Sequence, residues 1–596
     1  MKPERYLILL ILFVHVGMLI WIGYRNSPTW DEVAHLPAGL YTLKTGRFNV
    51  YSVNPPLERT VAAIPLLFVP HHEDWKNYSQ VPTERREFAI GCDFVRANGE
   101  RSFFLYTLGR WACIPFSLLT CLICFRWAKE LYGINAGFLA LVVWCFSPLV
   151  LGHASLITPD SPSAAFGVTA CYCFWHWLKK PDWSNSCWTG MIFGLAQCTK
   201  FTFLLWYPLW PLIWLTWFYM SRKEPGQISF KKQAARLIAI LTISIFVTNY
   251  IYLFDGSFKR LDSYRFVTET MSQTDESGKI ISPNRFAGSI FGWVPVPFPS
   301  DYVYGIDVQK RDFDVKLDSY LRGEWKKGGW YHYYIYAYLI KEPIGTFLLI
   351  FLAACVGIFG KGYASTYRDE FFILVIPLSL LFFISSQTGF NHHLRYLLPA
   401  YPFVYIWISK VARSFYLKQK MVIVPTVVGM TWFLASSLYY YPHSLSYFNE
   451  LVGGPKNGHY HLGNSNIDWG QDLLYLKRWL DKHPEVKLNG LLYDMPLVDV
   501  ALAGITDPKK NPIVPEEGWY AISVNQIHNM NGRYEYFLMF EPYDRIGYSM
   551  NIYNISPEEA KRVRNELGFT DINPEDYPVI EDEKPVVTDD ESEETE

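Results

Sequence analysis

About eleven stretches of this chain are apolar for roughly the length a helix needs to cross a bilayer. That one feature constrains the fold more than any other. A helix rises about 1.5 Å per residue, so about 20 apolar residues span the hydrocarbon layer. The stretches fall near 6–24, 103–126, 134–152, 161–178, 186–199, 201–220, 235–253, 342–360, 371–387, 396–410 and 421–439. The pair around Lys200 reads either as one bent span or as two. Composition agrees, with 50% hydrophobic and 17% aromatic residues, a density that suits wide interfacial belts. The first run has a basic lead-in, Lys2 and Arg5, but no small-residue cleavage site, so it reads as a retained span. The expected fold class is an α-helical polytopic membrane protein.

Short loops set the orientation. Arg126 and Lys129, Lys179 and Lys180, Arg222 to Lys232, Lys361 and Arg368, and Lys410 to Lys420 all fall on the side of the N-terminus. That side is expected to be cytoplasmic. The opposite short loops carry almost no cations, and Lys200 and Arg395 are the exceptions. The expected location is the plasma (inner) membrane, crossed many times. The long pieces 25–102, 254–341 and everything after about 440 then lie outside. Within the first, "RTVAAIPLLFVP" (59–70) is too short to span and is expected to lie along the interface.

Three domains are expected. Residues 1–440 form the transmembrane domain. Residues 441–578 form a soluble extracytoplasmic α/β domain. In it, "DWGQDLLYLKRWLDKH" (468–483) has helical spacing, with Leu473, Leu476, Trp479 and Leu480 on one face. "KLNGLLYDM" and "GWYAISVN" read as strands, and "SPEEAKRVRNELG" (556–568) as a capped helix. Residues 579–596 are acidic, lack aromatics and are expected to be disordered.

Other features exclude function classes. The formal net charge is -2, with no basic excess, so no nucleic-acid partner is expected. The ten cysteines lie mostly in apolar runs, which argues against a disulfide framework. Cys121 and Cys124 match a CxxC spacing, but mid-membrane, where packing is their expected role.

The informative residues are ionisable groups at one membrane level. Asp31 and Glu32 follow the first span in "SPTWDEVAHLPAGLY". Asp160 opens the fourth in "TPDSPSAAFG". Lys200 sits where the fifth and sixth meet. His392, His393 and Arg395 precede the tenth in "GFNHHLRYLLPAYPF", and Lys341 opens the eighth. Each has an ordinary reading, as a solvated loop residue, a helix cap or an interfacial anchor. Together they suit glycosyl transfer from a lipid phosphate. A carboxylate takes the acceptor's proton. Cations meet the charge that builds on the departing phosphate.

The order of these motifs resembles the polytopic glycosyltransferases of the GT-C class. Within it, the resemblance is to the branch holding protein O-mannosyltransferases and the lipid A aminoarabinose transferase. It rests on "WDEVAH", "NPPLERTVAAIPLL" from Asn54, "TPDSP", "GLAQCTKFTFLL" and "RYLLPAYPF", and covers about the first 410 residues. The second outer loop and the tail "YFNELVGG…GNSNIDWGQDLLYLKRWL" look like a bacterial subfamily. No repeats of a β-trefoil type are visible, so a protein acceptor of the eukaryotic kind is not expected.

The resemblance implies a GT-C-like fold and a hexosyl- or pentosyltransferase. Its donor is a polyprenyl-phosphate sugar, and its acceptor is a hydroxyl or amine on a glycan, lipid or protein. Asp31 would be the general base, working with inversion at the anomeric carbon at the extracytoplasmic face. Glu32 would support it or bind the acceptor, and Asp160 would line the same cavity. Lys200 and Arg395, with His393, would hold the donor phosphate, and His392 and Lys341 are added as phosphate-binding candidates by their membrane level. His35, Asn54 and Tyr396 would line the substrate cavity. His35, His71 and His72 show no convincing ligand spacing, so no metal residue is assigned, and a divalent cation stays open as a cofactor. The alternative is a transporter or flippase of a lipid-linked or anionic solute.

Overall fold

The computed structural model describes residues 3–569, apart from 82, 223–227, 276–278, 364 and 509–512. The acidic tail at 579–596 lies outside the described residues. Two compact units divide the chain, Met1–Gln471 and Asp472–Glu596.

The first unit is predominantly helical, and helix occupies each of the eleven apolar stretches. Among the described residues six helices are long and apolar enough to cross a membrane, or up to eight if each bent pair is one span. The remaining stretches are shorter or carry more polar residues. Trp183–Gln197 has 15 residues, about 22 Å of helix. The segment before Tyr401–Ile408 is a 3-10 turn, Leu394–Ala400. The chain between Trp183–Gln197 and Trp206–Ser221 breaks at Cys198–Lys200, so this region is two helices and not one bent span.

Two ionic layers lie at opposite ends of Asp160–Lys179, a helix of 20 residues. That length is about 30 Å, the thickness of the hydrocarbon. At its last turn Lys179 pairs with Asp369 at 3.0 Å, near Lys410 with Glu370 at 2.5 Å. These belong to the basic loops that set the expected orientation. Asp160 begins the other end.

Between the layers, local sequence explains local shape. Trp30–Thr45 starts where the Glu32 carboxylate accepts the Thr29 backbone N–H at 2.9 Å. It ends at Gly46, whose φ of 68° is the left-handed conformation that glycine adopts freely. Pro37 within it cannot donate to the Val33 carbonyl, and the Tyr106 hydroxyl donates there instead, at 3.2 Å. The helix is clamped from two sides by glycine contacts. A Cβ on Gly39 would lie 1.9 Å from the Arg59 carbonyl oxygen, and one on Gly91 would lie 2.4 Å from that of Val33.

A second break lies between Tyr333–Lys341 and Ile344–Phe359, which meet at 108°. Pro343 disfavours helix at the residue before it. The carbonyls freed at the break are met by Asn449. Its side-chain amide donates to Leu339 and Glu342 oxygens at 2.8 Å, and its backbone N–H donates to Ile340 at 2.8 Å.

The second unit carries a four-stranded sheet in the order Leu488–Leu492, Gly518–Ser523, Met550–Ile555, Asp544–Ile546. The first pair is parallel and the others are antiparallel. Both expected strands are present. Leu473–Lys482 buries Leu473, Leu476 and Trp479, while Leu480 is half-buried. It starts later than 468, because Asp468 to Gln471 fold into the first unit. Pro557–Glu566 is capped by Ser556, with Glu559 completing the box. The division at 471 differs from the expected boundary at 440. Residues 441–471 are held by buried hydrogen bonds, including Ser27 N–H to the Gln471 carbonyl at 2.9 Å and Leu394 N–H to Asn466 Oδ1 at 3.1 Å.

The clamp around Trp30–Thr45 makes a prediction. Gly39→Ala forces that helix away from Leu57–Ala63 and should cost about 1–3 kcal/mol. A lowered thermal midpoint in detergent is the expected reading. An unchanged midpoint would mean the two helices separate freely.

Candidate functional site

Four of the expected site residues meet in one chain of ion pairs. Arg395 Nη2 lies 2.8 Å from Asp31 Oδ2, and its Nη1 lies 3.0 Å from Asp160 Oδ2. Lys200 Nζ donates to Asp160 Oδ1 at 2.8 Å. The order is Asp31, Arg395, Asp160, Lys200, and the formal charges cancel. Neutrality is what burial demands, since an unpaired buried charge is costly. The Asp31 side chain keeps 21% exposure while the Asp160 side chain has none. Asp31 is therefore the carboxylate open to a ligand.

Each member is placed by a feature of local sequence. Asp31 stands in the first turn of Trp30–Thr45, and Asp160 opens Asp160–Lys179. Lys200 is extended, at the break that ends with Phe201–Leu205. That break is fixed from the first loop, where the Leu57 N–H of the "NPPL" element donates to the Cys198 carbonyl at 3.1 Å. Arg395 lies in Leu394–Ala400, where Pro399 cannot donate to the Arg395 carbonyl four residues back, and the turn is 3-10.

Aromatic faces carry the two cations. The Arg395 guanidinium sits 4.1 Å from the Trp469 ring centroid, and Lys200 Nζ sits 4.7 Å from that of Tyr396. Such contacts favour the cationic form where water is scarce. Trp469 also has His393 and His153 rings at 6.1 and 6.3 Å. Its backbone carbonyl accepts from the Trp30 N–H at 3.3 Å, one residue before Asp31.

Glu32 does not share the place of Asp31. It is fully buried, with Arg110 Nε 2.8 Å from Oε1 and Nη2 2.5 Å from Oε2. It also accepts from the Ile157 N–H at 2.8 Å. Arg110 in turn donates to the Gly23, Asn26 and Ser27 carbonyls. Of the two roles expected for Glu32, this geometry fits support of Asp31, because both oxygens are occupied and no face of it meets solvent. It ties the first span to the helix that bears Asp31.

The remaining expected residues divide. Tyr396 lines the cluster. His393 is buried, bonded to Ser465 Oγ, and held neutral by burial and then by the nearby Arg395 charge. It therefore brings no positive charge to a phosphate. His392 turns away and contacts the Asp318 carbonyl at 2.7 Å. Lys341 is buried against the Leu445 carbonyl, at 3.0 Å, and the Asn466 carbonyl. Neither is brought into the ion-pair chain. Both were drawn in by membrane level alone, and level does not fix direction. Asn54 bonds within its own turn, donating to the Tyr51 hydroxyl at 3.2 Å.

His35 lies one helical turn beyond Asp31, fully buried, with Nδ1 3.2 Å from Glu58 Oε2. The contact lacks hydrogen-bond geometry. Burial pushes the His35 pKa down and that of Glu58 up, leaving both neutral. Beside them Arg59 donates to the Tyr51 and Asn54 carbonyls, each at 2.6 Å, and fixes the "NPPLER" turn. Among the described residues no group of three or more His, Cys, Asp or Glu could hold a metal.

Sequence reading missed Arg110, Glu58, Arg59, His153 and Trp469. For Arg110 the signal was present, since an arginine inside an apolar span needs a partner. For Trp469 it was not, because its segment reads as part of a separate domain.

Residues 106–252 match the family model described as dolichyl-phosphate-mannose-protein mannosyltransferase. The matched stretch includes Arg110, Asp160 and Lys200, and it bears out the resemblance to GT-C glycosyltransferases. No curated protein matches the chain significantly. Among solved structures the chain is similar to ArnT from Cupriavidus metallidurans in the apo state, with 12% identity over 81% of this chain and 73% of that one, TM-score 0.41. ArnT from the same organism bound to undecaprenyl phosphate aligns at 10% identity over 92% and 98%, TM-score 0.39.

Two predictions follow from the buried pairs. Arg110→Met strands the Glu32 charge and should cost about 3–5 kcal/mol. Adding Glu32→Leu should recover part of that loss, read as the detergent thermal midpoint of the single and double variants. Glu58 makes a pH prediction of defined sign. Its folded pKa is raised, so its contribution is present at low pH and is lost as pH rises above the ordinary carboxylate range. Glu58→Gln should remove that loss. The midpoint difference between Glu58→Gln and wild type should grow with pH, and a flat difference would refute a neutral Glu58.

Proposed function

We propose that this protein is a membrane glycosyltransferase that uses a polyprenyl-phosphate sugar at the extracytoplasmic face. The observation that supports this reading is the neutral chain Asp31–Arg395–Asp160–Lys200, open at Asp31. The family match over 106–252 supports the same class of donor.

The chemistry is a single displacement with inversion. The acceptor hydroxyl or amine attacks the anomeric carbon while the bond from that carbon to the phosphate oxygen breaks. The phosphate leaves with the bonding electrons, and Asp31 takes the acceptor's proton. Arg395 and Lys200 receive the charge that builds on the phosphate. Asp160 holds the two cations at a fixed spacing. Without substrate, Arg395 also holds Asp31. An arriving phosphate competes for Arg395 and releases Asp31 as the acceptor is presented. Trp469 keeps the guanidinium in place through that exchange.

The test uses the purified full-length protein in detergent with radiolabelled polyprenyl-phosphate sugars. Its acceptor source is membranes from cells lacking the protein. Asp31→Asn should lower transfer by about 10²–10⁴-fold with its thermal midpoint preserved. Lys200→Met and Arg395→Met should weaken donor binding. Transfer by a folded Asp31→Asn variant at the wild-type rate would remove Asp31 from the mechanism. Movement of the intact donor across vesicles, without transfer, would favour a flippase.

A further inference from the structure

The span Phe230–Ile251 carries an exposed apolar stripe of Ile238, Phe246 and Tyr250, spaced eight and four residues apart on one face. In a membrane that stripe faces lipid. It does not stop where the helix stops. Phe254 continues it, with its ring 5.6 Å from that of Phe246. Leu253, Phe254 and Phe258 are all exposed, and all have φ between 53° and 59°. Bulky residues seldom adopt that left-handed region, and they persist there only where the surrounding structure enforces it. The surrounding structure holds them there with their side chains outward.

A second exposed apolar segment is laced to the first. The Phe258 N–H donates to the Val296 carbonyl and the Leu261 N–H to that of Val294, at 3.0 and 3.1 Å. The next residue, Pro297, is anchored on the span itself. Its carbonyl accepts from the Asn249 side chain at 2.9 Å, within the last turn of the helix. Trp293 is four residues from Pro297, so it lies within about 14 Å of the span's end. Here Ile290, Phe291 and Trp293 are 82%, 65% and 68% exposed. The Arg260 guanidinium rests 3.8 Å from the Trp293 ring centroid.

We infer that residues 253–260 and 290–294 form a knuckle that inserts into the phospholipid leaflet at that end of the span. Three observations select lipid as the occupant. The exposed face is continuous with a lipid-facing helix. Its exposed apolar members are aromatic and aliphatic, and Asp255, Lys259 and Arg260 lie among them, a mixture that suits the interface and not the hydrocarbon. Arg260, stacked on its tryptophan and paired with Asp262, adds the amphipathic aromatic–cation character of an interfacial anchor. The following helix, Ser300–Asp314, packs Gly305 on the Ser52 carbonyl, and its Tyr302 hydroxyl donates to Gln197 at 2.9 Å. A seated knuckle therefore braces the helix that backs the first loop. The inference needs only that the chain spans a membrane, and it is independent of the glycosyltransferase reading.

The experiment places photoreactive p-benzoylphenylalanine at single positions of the full-length protein in phosphatidylethanolamine/phosphatidylglycerol nanodiscs. Phe291 and Phe258 are the test sites. Phe246 on the span is the positive control, and an unirradiated sample is the negative one. An aromatic replaces an aromatic at exposed sites, so folding is preserved. Lipid adducts at Phe291 and Phe258 at half the Phe246 yield or more are expected. Adducts at Phe246 with none at Phe291 and Phe258 would overturn the inference. Adducts at Phe291 to a second protein chain would also overturn it, in favour of a protein interface.

Discussion

Arg395 is the residue on which the site depends. It is buried, it cannot give up its proton, and it must therefore be matched by fixed anions. Asp31 and Asp160 provide them, from helices more than a hundred residues apart in sequence. Asp160 also meets Lys200, so the four charges close to zero. The requirement for neutrality in a place with little water draws together the first-loop helix, the mouth of the fourth span, the break at Lys200 and the turn before Tyr401. Trp469 adds a flat surface for the guanidinium and is itself tied to Trp30. No one of these segments could hold its charge alone.

The adjacent carboxylates of "WDEVAH" have separate tasks because successive helical residues point about 100° apart. Asp31 turns toward Arg395 and keeps some exposure. Glu32 turns inward to Arg110 and to the backbone of residue 157. One is available to a ligand, and the other secures the helix that carries it. The clamp of Gly39 and Gly91 and the Tyr106 hydroxyl on the Val33 carbonyl serve the same end. The base of the proposed reaction is set on a helix whose position is over-determined, which is what precise orientation of a reacting group requires.

The same economy of position governs the second loop. A span ends, the chain turns through left-handed residues, and exposed aromatic side chains emerge at the level where bilayer and water meet. Pro297 on Asn249 prevents that segment from drifting from the span. Through Ser300–Asp314 the loop then backs the first loop. Contact with lipid and support of the site are thus mechanically connected within the first unit.

What the sequence by itself determined was periodicity and level. Apolar run lengths determined the helices, loop cations their alternation, and the ionisable residues at one end the cluster Asp31, Asp160, Lys200 and Arg395. Capping and strand patterns likewise determined Pro557–Glu566 and both expected strands. These are legible because they depend on neighbours a few residues away. Direction was not legible. Glu32, His392 and Lys341 lie at the right level and face elsewhere, because facing depends on where Arg110, Asp318, Leu445 and Asn466 arrive in space. The membership of residues 441–471 was decided the same way. Only the tertiary structure brings Trp469 to Arg395, since hydrogen bonds between segments hundreds of residues apart leave no local pattern to read.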